Sequence, residues 1–273
     1  MKNRFSFVVV TPSYNQASYI RDTLTSVYSQ SAKHIIHIVM DGGSTDQTMQ
    51  IIQSFGQKHQ KLHATQQKVL LWESRKDKGQ ADAINKGIRT FAGLKKSGDW
   101  IFSYINSDDY YLPDAFIRVE ETFQKNPTAQ WMVGDAVIVD MHGKKIQEPI
   151  RRYKSLFRTV LFPYVFGILN PIPQPSVFIR WDAVGKIGLF NTSLSYTMDY
   201  EYWWRLYDLF GPPVFVSSAL SAFRIQRESK GSTVFEKQFS EELAVARGHC
   251  SYPQQILHRV HNRIITGIYQ IIK

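Results

Sequence analysis

The first half of the chain alternates short apolar runs with stretches in which apolar residues recur every three or four positions. The runs are rich in β-branched and aromatic residues, and they predict four strands at residues 5–10, 34–40, 69–72 and 100–105. The periodic stretches predict helices at residues 19–28 and 81–91, and another that carries Met49, Ile51, Ile52 and Phe55. Strands that alternate with helices over connections of this length are typical of an α/β protein with a doubly wound, mostly parallel sheet.

The second half of the chain is less regular. Its pattern predicts an antiparallel hairpin at residues 131–139 and 145–150, strands at 175–179, 214–216 and 219–225, and helices at 198–210, 235–246 and 254–272. The sequence contains no internal repeat and no linker-like tract. We therefore expect one domain at residues 1–230 and a helical C-terminal extension at residues 231–273, packed on the same domain or on a membrane surface.

The composition is that of a folded protein without a membrane span. Hydrophobic residues fill 43% of the 273 positions, enough for a substantial core. Cys250 is the only cysteine, which excludes an intramolecular disulfide and a multi-cysteine zinc site. The apolar part of the amino terminus is too short for a signal peptide, and no apolar stretch reaches the ~20 residues that cross a bilayer. These features favour a cytoplasmic location.

Positive charge is concentrated in one segment. The net charge is +10, and residues 144–158 hold six basic residues against the single acid Glu148, a local net charge of +5. An apolar, aromatic stretch at residues 156–169 overlaps the end of this segment. Such a combination suits the inner face of an anionic membrane or an anionic acceptor, and a solvated surface without a partner is an equal alternative. No nucleic-acid-binding motif accompanies the segment, so nucleic acid is not expected as a partner.

Two adjacent carboxylates follow the fourth predicted strand. Asp108 and Asp109 stand near its carboxyl end, where ligands bind in open α/β sheets. A divalent cation held against a phosphate would relieve their mutual repulsion, since Mg²⁺ and Mn²⁺ prefer such oxygen ligands. The pair also fits an Asx-rich turn that leads into a helix, and by itself it does not separate the two interpretations.

Two other predicted strands end in polar motifs. Residues 11–15 read Thr-Pro-Ser-Tyr-Asn after the first strand, and residues 41–46 read Asp-Gly-Gly-Ser-Thr-Asp after the second. Asp41 would accept a hydrogen bond from a base N–H, and the two glycines would let the backbone approach a ligand closely, although a plain turn also explains them. Because parallel strands end at one edge of a sheet, we expect these motifs to share a pocket with Asp108.

In this order the motifs resemble those of the family 2 glycosyltransferases of GT-A fold. The resemblance covers about residues 5–225 and includes a third motif at residues 77–87, Asp-Lys-Gly-Gln-Ala-Asp-Ala-Ile-Asn-Lys-Gly, and a DXD-type metal site at residues 106–109. It implies a GT-A (Rossmann-like) fold with a small antiparallel addition. It also implies inverting transfer of a sugar from a nucleoside-diphosphate sugar to an acceptor hydroxyl, of the bacterial polysaccharide-biosynthesis type, with a glycan or lipid-linked acceptor.

The resemblance further implies roles for individual residues. The residues expected to bind the nucleotide sugar are Thr11, Pro12, Tyr14, Asp41, Lys78, Asp82, Asn106, Ser107 and Asp108. Asp108 and Asp109 would coordinate Mg²⁺ or Mn²⁺ through the diphosphate of a UDP-, GDP- or dTDP-sugar. Lys78 suits the diphosphate as a mobile cation, and a solvated loop lysine is its alternative.

Two positions depart from the family pattern. Asn106 stands where the first Asp of the DXD pattern often stands, which weakens one anionic contact. Gln226 stands where an Arg-x-His pattern would place a histidine, so Arg224 or Arg227 would meet the diphosphate instead. Both departures favour an alternative function, a catalytically inactive nucleotide-sugar or glycan binding protein of the same fold.

An inverting transfer needs a base that takes the proton of the acceptor hydroxyl. Residues 196–206 resemble the family's x-Asp motif at a helix start, and the resemblance implies Asp199 as this catalytic base. A helix amino terminus favours an ionised carboxylate, although helix capping is the ordinary role of such a residue. Glu201 is the rival, but two positions along a helix it points about 200° away, so both cannot face one pocket.

The acceptor side has fewer signals. Gln174 precedes a predicted strand at the place of the family's acceptor loop and is a candidate for acceptor binding. Trp203 and Trp204 follow the base, and the face of Trp203 would stack on sugar C–H groups. Tryptophans at this spacing commonly lie in the core, and we expect one of the two to do so.

Overall fold

The computed structural model describes residues 5–32, 34–62, 67–94, 96–160, 162–226 and 235–272. Its strands are β1 (Ser6–Ser13), β2 (His34–Asp41), β3 (Gln67–Ser74), β4 (Trp100–Tyr104), β5 (Tyr110–Tyr111), β6 (Trp131–Val139), β7 (Lys145–Ile146), β8 (Val177–Arg180) and β9 (Val214–Arg224). Its helices are α1 (Ile20–Tyr28), α2 (Thr48–Leu62), α3 (Gln80–Gly93), α4 (Ala115–Lys125), α5 (Glu148–Val160), α6 (Phe162–Val165), α7 (Trp181–Ile187), α8 (Met198–Phe210), α9 (Phe235–Ala246) and α10 (Tyr252–Ile272). A 3-10 turn at Gln174–Ser176 precedes β8.

The described strands form one mixed sheet in the order β3-β2-β1-β4-β8-β6-β9-β5, with β7 paired to β6. Strands β3, β2, β1 and β4 run parallel, whereas β8 is antiparallel to both of its neighbours. Strand β9 is parallel to β6 and antiparallel to β5. The predicted α/β class, with a largely parallel half and an antiparallel addition, is confirmed.

The alternation of side chains along β1 builds two cores, one on each face of the sheet. Val8 and Val10 pack with α3, α7 and α8, and Phe7 and Val9 pack with α1 and α4. All four side chains are fully buried because a parallel strand between two helical layers has no solvent-facing side. The helices of both layers therefore hold the strand ends in fixed positions.

Three elements differ from the predictions. Strand β1 continues to Ser13, because its pairing with β2 extends to Ser13 beside Asp41. The two strands predicted at residues 214–216 and 219–225 are one strand, β9, whose register with β6 shifts between Val133 and Ala136. Residues 148–150 are helical rather than extended, since Glu148 and Pro149 are residue types that favour the first turn of a helix.

The carboxyl ends of β1, β2 and β3 lie side by side, with Ser13 beside Asp41 and Asp41 beside Ser74. The segment after β4 joins the same edge through a hydrogen bond of 3.0 Å from the Ile105 N–H to the Val10 carbonyl. The sheet thus gathers the ends of four parallel strands at one edge, as the sequence predicts for the pocket.

Helices α9 and α10 contact each other and the main body of the chain. Helix α9 contacts α8, and Gln254 of α10 donates a hydrogen bond of 3.1 Å to the Tyr164 carbonyl in α6. Within the described residues, every helix is too short or too polar to cross a membrane.

Candidate functional site

The turns that follow β1 and β2 are hydrogen-bonded to each other. The Asn15 N–H donates to Ser44 Oγ over 2.8 Å, and Asn15 Oδ1 accepts the Thr45 N–H at 2.9 Å. Asn15 adopts φ of 52°, a left-handed conformation that asparagine tolerates better than most residues. Beside this junction Tyr14 is 59% exposed, so its ring offers a face on which a planar base can stack.

Asp41 organises the turn in which it lies. Its Oδ2 accepts hydrogen bonds from the Gly43 N–H at 3.0 Å, the Ser44 N–H at 2.8 Å and Ser74 Oγ at 2.6 Å, and its Oδ1 accepts from Ser44 Oγ at 2.5 Å. The residue is only 2% exposed. The carboxylate therefore shapes the turn and has little capacity left for a base.

Three of the residues expected to bind the nucleotide lie below the surface of this edge. Thr11 is fully buried, with Oγ1 2.8 Å from Nε2 of His37, and Ser107 is 4% exposed. Pro12 is buried within β1. Thr11 and Pro12 lie within β1, which extends further than the hydrophobic pattern indicates, whereas Ser107 lies in the turn after β4. Burial does not support side-chain contact of Thr11 and Ser107 with a nucleotide, and that role stays a prediction.

The third motif lies at the start of α3, beside the turn that follows β2. The Asp82 carboxylate accepts the Lys78 N–H at 3.1 Å and pairs with Lys86 Nζ at 3.2 Å, while the Lys78 side chain is exposed. A Cβ added to Gly42 would lie 2.9 Å from Asp77 Oδ2. The turn after β2 therefore comes close to the loop before α3, and a side chain at position 42 would displace the Asp77 carboxylate.

The two adjacent carboxylates after β4 have different surroundings. Asp108 is partly exposed, and its Oδ2 accepts a hydrogen bond of 2.5 Å from Gln226 Nε2. Asp109 is fully buried, and its Oδ1 accepts the Arg224 N–H at 2.8 Å. Burial raises the pKa of both groups, and for Asp109 the charge of Asp108 adds to the effect. Only Asp108 faces an opening from which a metal could be reached.

Asn106 lies in the middle of a row of side-chain amides. Its Oδ1 accepts from Gln80 Nε2 at 2.5 Å, and its Nδ2 lies 3.4 Å from Gln174 Oε1 and from Asp109 Oδ2. Gln174 Nε2 in turn donates to the Tyr104 carbonyl at 2.9 Å. Gln174, a candidate for acceptor binding, thus supports Asn106, and Gln80 is a member of the row that the sequence analysis missed.

The guanidinium of Arg224 lies among protein groups. It is 4% exposed, pairs with Asp22 at 2.9 Å and lies 4.5 Å from the centre of the Tyr19 ring. Its Nε has no hydrogen-bond partner within the described residues, and the role of Arg224 at a diphosphate stays a prediction. The alternative, Arg227, lies outside the described residues.

Asp199 lies in the first turn of α8 and is partly exposed. Burial raises its pKa to about 6, against the opposing effect of the Tyr200 N–H, which donates to Oδ1 over 2.7 Å. The rival Glu201 forms an ion pair of 2.8 Å with Arg205, whose guanidinium also donates to the Ile187 carbonyl at 2.7 Å. Glu201 is thus part of the packing of α8, and Asp199 is the available carboxylate.

Trp203 and Trp204 both belong to the core. Trp203 is 1% exposed, and its ring lies parallel to that of Trp131 with centroids 6.3 Å apart. Trp204 is 4% exposed and packs on Phe166 with centroids 4.3 Å apart. The prediction that Trp203 stacks on an acceptor sugar is wrong, because its ring has no open face.

Two charged residues near Asp199 were missed by the sequence analysis. Lys154 of α5 and Glu242 of α9 interact with each other and with Asp199 through their charges. Glu242 is 6% exposed, and burial raises its pKa to about 7. The surrounding protein lowers the pKa of Lys154. Lys154 of α5 and Glu242 of α9 are therefore charged neighbours of Asp199.

Comparison with known proteins gives a consistent result. A family model described as Glycosyl transferase family 2 matches residues 8–177. An uncharacterized glycosyltransferase of Rickettsia prowazekii is 26% identical over 88% of this chain and 74% of its own length. A putative teichuronic acid biosynthesis glycosyltransferase of Bacillus subtilis, TuaG, is 32% identical over 67% of this chain and 65% of its own length.

Two solved structures share the fold. The chain matches residues 1–349 of Staphylococcus aureus TarS in complex with UDP-GlcNAc at a TM-score of 0.64 and 18% identity, over 92% of this chain and 69% of that one. It matches the mannosyltransferase PcManGT of Pyrobaculum calidifontis in complex with GDP-Man and Mn²⁺ at a TM-score of 0.66 and 15% identity, over 94% of this chain and 68% of that one. The fold is that of the GT-A glycosyltransferases.

Proposed function

Because the chain belongs to glycosyl transferase family 2, we propose that it transfers a sugar from a nucleoside-diphosphate sugar to an acceptor hydroxyl, with inversion at the anomeric carbon. In a single displacement the base must stand on the side opposite the leaving diphosphate. The proposal therefore requires a carboxylate on each side of one pocket. Asp41 ends β2, Asp108 and Asp109 follow β4, and Asp199 lies at the start of α8.

The observation that carries the proposal is that the base and the donor-side acids flank one side chain. Tyr104, the last residue of β4, packs on Phe190 with ring centroids 5.3 Å apart, and Phe190 stacks on Tyr202 of α8 at 3.9 Å. Asp199 lies one turn before Tyr202 on the same face of α8. Burial, followed by the charges of Asp199 and Asp109, raises the pKa of the Tyr104 hydroxyl.

A divalent cation fits the donor side. Within the described parts of the chain, no three His, Cys, Asp or Glu side chains converge as a ligand set, and Asp108 is the accessible carboxylate. One carboxylate combined with substrate phosphates is an ordinary way for a protein to hold Mg²⁺ or Mn²⁺, so the residues present suit the group. When bound, the cation would neutralise the charge that develops on the leaving diphosphate. Asp108 would hold it, and Gln226 would orient Asp108.

The donor and the reaction can be tested together. We expect purified protein to transfer or hydrolyse one class among UDP-, GDP- and dTDP-sugars in the presence of Mn²⁺ or Mg²⁺. Transfer is followed by mass spectrometry with glycan and lipid-linked acceptors, and the anomeric configuration of the product by NMR. A thermal-shift series with the same donors identifies the base, because a bound ligand stabilises the fold by RT ln(1 + [L]/Kd).

A nucleotide-sugar binding protein without turnover is the second candidate function. It is favoured by the 2.5 Å hydrogen bond from Gln226 to Asp108, which occupies an oxygen that a cation would use. Tight donor binding that is independent of metal, without hydrolysis or transfer by the folded protein, would establish this function and contradict the enzymatic one.

We also propose that the acceptor is lipid-linked and that α5 and α10 rest on an anionic membrane. Residues 256, 257, 260 and 264 form an exposed apolar stripe on α10, opposite the buried residues 258 and 262. Helix α5 runs beside it, since the Tyr153 and His261 rings are parallel with centroids 6.5 Å apart, and it exposes Leu156. The exposed Arg259 and Arg263 flank the stripe and match the charge of anionic lipids. TuaG, as a putative teichuronic acid biosynthesis enzyme, supports a cell-surface polysaccharide product.

Vesicle co-sedimentation tests this membrane contact. We expect binding to vesicles that contain phosphatidylglycerol and little binding to pure phosphatidylcholine, with loss at high salt. Replacing Leu257 and Ile264 by Glu should weaken binding by about 10-fold or more, because two apolar side chains would be exchanged for anions. Leu209→Glu is the matched control, since Leu209 is 55% exposed on α8, outside the stripe. Equal binding to both vesicle types would contradict the proposal.

A further inference from the structure

The loop before α8 is held by a side chain from another helix. Thr197 is the N-cap residue of α8, and no side chain within the helix caps it. The carboxylate of Glu241, in α9, instead accepts the Ser195 N–H at 2.9 Å, the Tyr196 N–H at 2.7 Å and the Thr197 N–H at 2.8 Å. It also accepts from Thr197 Oγ1 at 2.9 Å. One side chain thus binds four donors in three consecutive residues.

The hydrogen bonds of Glu241 to residues 195–197 help to determine the position of Asp199. Thr197 is two residues before Asp199, so the backbone that Glu241 holds determines where α8 begins and which way its first turn faces. The N–H groups that Glu241 binds belong to the loop before α8 and to its N-cap, and charge-assisted hydrogen bonds to a carboxylate are stronger than neutral ones. Burial acts to raise the pKa of Glu241, but these hydrogen bonds outweigh it and the pKa is lowered. The carboxylate is therefore ionised while it holds the loop.

Glu242, the next residue in α9, has a different environment. Glu242 points away from this loop, lies 4.0 Å from Nε2 of His258 and is buried. Its pKa is raised rather than lowered, so the two adjacent acids of α9 have opposite environments. The contacts to residues 195–197 are specific to Glu241.

We propose that Glu241 is the positioning residue for the base Asp199, and that α9 is thereby part of the catalytic machinery. This inference rests on the proposed function for its effect on turnover, but the contact itself can be tested without turnover. It gives the extension predicted at residues 231–273 a role in the reaction in addition to packing.

Glu241→Gln tests the proposal. Glutamine keeps one acceptor oxygen and loses the charge, so the loop is held by fewer and weaker bonds. We expect kcat to fall by about 10- to 100-fold at pH 8 with an unchanged KM for the donor, since a misplacement of about 1 Å can cost 100-fold. Glu241→Asp, which keeps the charge on a shorter side chain, should recover part of the activity. Glu120→Gln is the matched control, because Glu120 is also a buried glutamate, 7% exposed, that accepts a backbone N–H, from Phe5.

A pH profile separates positioning from a loss of folded protein. The charged and titratable groups that act on Asp199 are Lys154 of α5 and Glu241 and Glu242 of α9, with Tyr104 of β4 beside it. The Glu241 charge raises the pKa of Asp199, so its removal should move the acid limb of the kcat profile to lower pH. Unfolding would reduce the amplitude and leave the limb in place. An unchanged kcat and an unchanged limb in Glu241→Gln would overturn the inference.

Hydrogen exchange tests the contact independently of the reaction. The amides of Ser195, Tyr196 and Thr197 should exchange faster in Glu241→Gln than in the wild type or in Glu120→Gln. If the wild type transfers no sugar but these amides lose protection, the proposed function fails and the contact stands. If their protection is unchanged, the positioning role is overturned, whatever the donor assays give.

Discussion

Asp199→Asn should reduce sugar transfer by about 1,000-fold or more while donor binding stays intact. The substitution removes the group that accepts the proton of the acceptor hydroxyl, and general base catalysis together with the correct geometry commonly contributes a factor of 100 to 10,000. The measurement is kcat for transfer with the best donor, alongside the Kd of that donor by calorimetry. Glu201→Gln is the control, because Glu201 lies in the same helical turn and pairs with Arg205.

The pH dependence of wild-type activity should show the ionisation of Asp199. Asp199 must be ionised to act, and its pKa is raised to about 6, so activity should rise with pH through about 6 and fall below it. The effect of the same ionisation on folding stability has the opposite sign. Because the pKa of Asp199 is higher in the folded protein than in the unfolded chain, the free energy of unfolding decreases as the pH rises from the unfolded pKa to about 6. At pH 7.5 the ionised Asp199 therefore destabilises the fold, and Asp199→Asn should leave the Tm unchanged or raise it. Activity of Asp199→Asn near the wild-type level, or a profile without an acid limb near 6, would exclude Asp199 as the base.

Asp108→Asn should abolish the metal dependence of donor binding and reduce kcat/KM by about 100-fold or more. Asp108 is the accessible carboxylate at the donor edge, and a bound cation supplies several kcal/mol of charge stabilisation in such reactions. The measurement is the donor Kd with Mn²⁺ and with EDTA, which should differ in the wild type and coincide in the variant. Asp182→Asn is the control, because Asp182 is an exposed acid in the first turn of α7.

Asp109, the buried neighbour of Asp108, is a less informative position for substitution. Asp109→Asn changes a group whose oxygens accept the Arg224 N–H and face Asn106, so its effect would include a change in packing. Asp108→Asn keeps an oxygen that can accept the hydrogen bonds that Gln226 and the Asp108 N–H donate to the carboxylate, so a lowered Tm is not expected. If Asp108→Asn keeps a donor Kd that responds to Mn²⁺, the cation is bound elsewhere and the assignment of Asp108 is wrong.

The hydrophobic pattern predicts the extent of several helices well because its signals are local. Helix α8 was predicted at residues 198–210 and α9 at 235–246, and both agree with the structure. Strand ends are less accurate, since the length of β1 depends on its register with β2 and not on its own residues. This is why Thr11 and Pro12 were expected in a binding turn and lie within a strand.

The site residues that were missed depend on contacts between distant segments. Glu241 lies 44 positions from Thr197 in the sequence, and the Gln226–Asp108 pair is 118 positions apart. No periodicity links such positions, although the departure of Gln226 from the family pattern marked it as a residue to inspect. The stacking of Trp203 on an acceptor sugar was predicted for the same reason, because only the tertiary structure brings Trp131 against its face.

The row of amides around Asn106 limits how this site can be engineered. An amide both donates and accepts, and Asn106 uses its N–H groups toward Asp109 and Gln174 and its oxygen toward Gln80. An ionised aspartate at position 106 would only accept hydrogen bonds. It would add a third carboxylate to those of Asp108 and Asp109 and would have no N–H to donate to the buried Asp109. Conversion to the common DXD sequence is therefore a joint replacement at positions 80, 106 and 174. A library that varies position 106 alone would recover mostly weakened proteins, whereas one that varies the three positions together samples sets in which donors and acceptors can match.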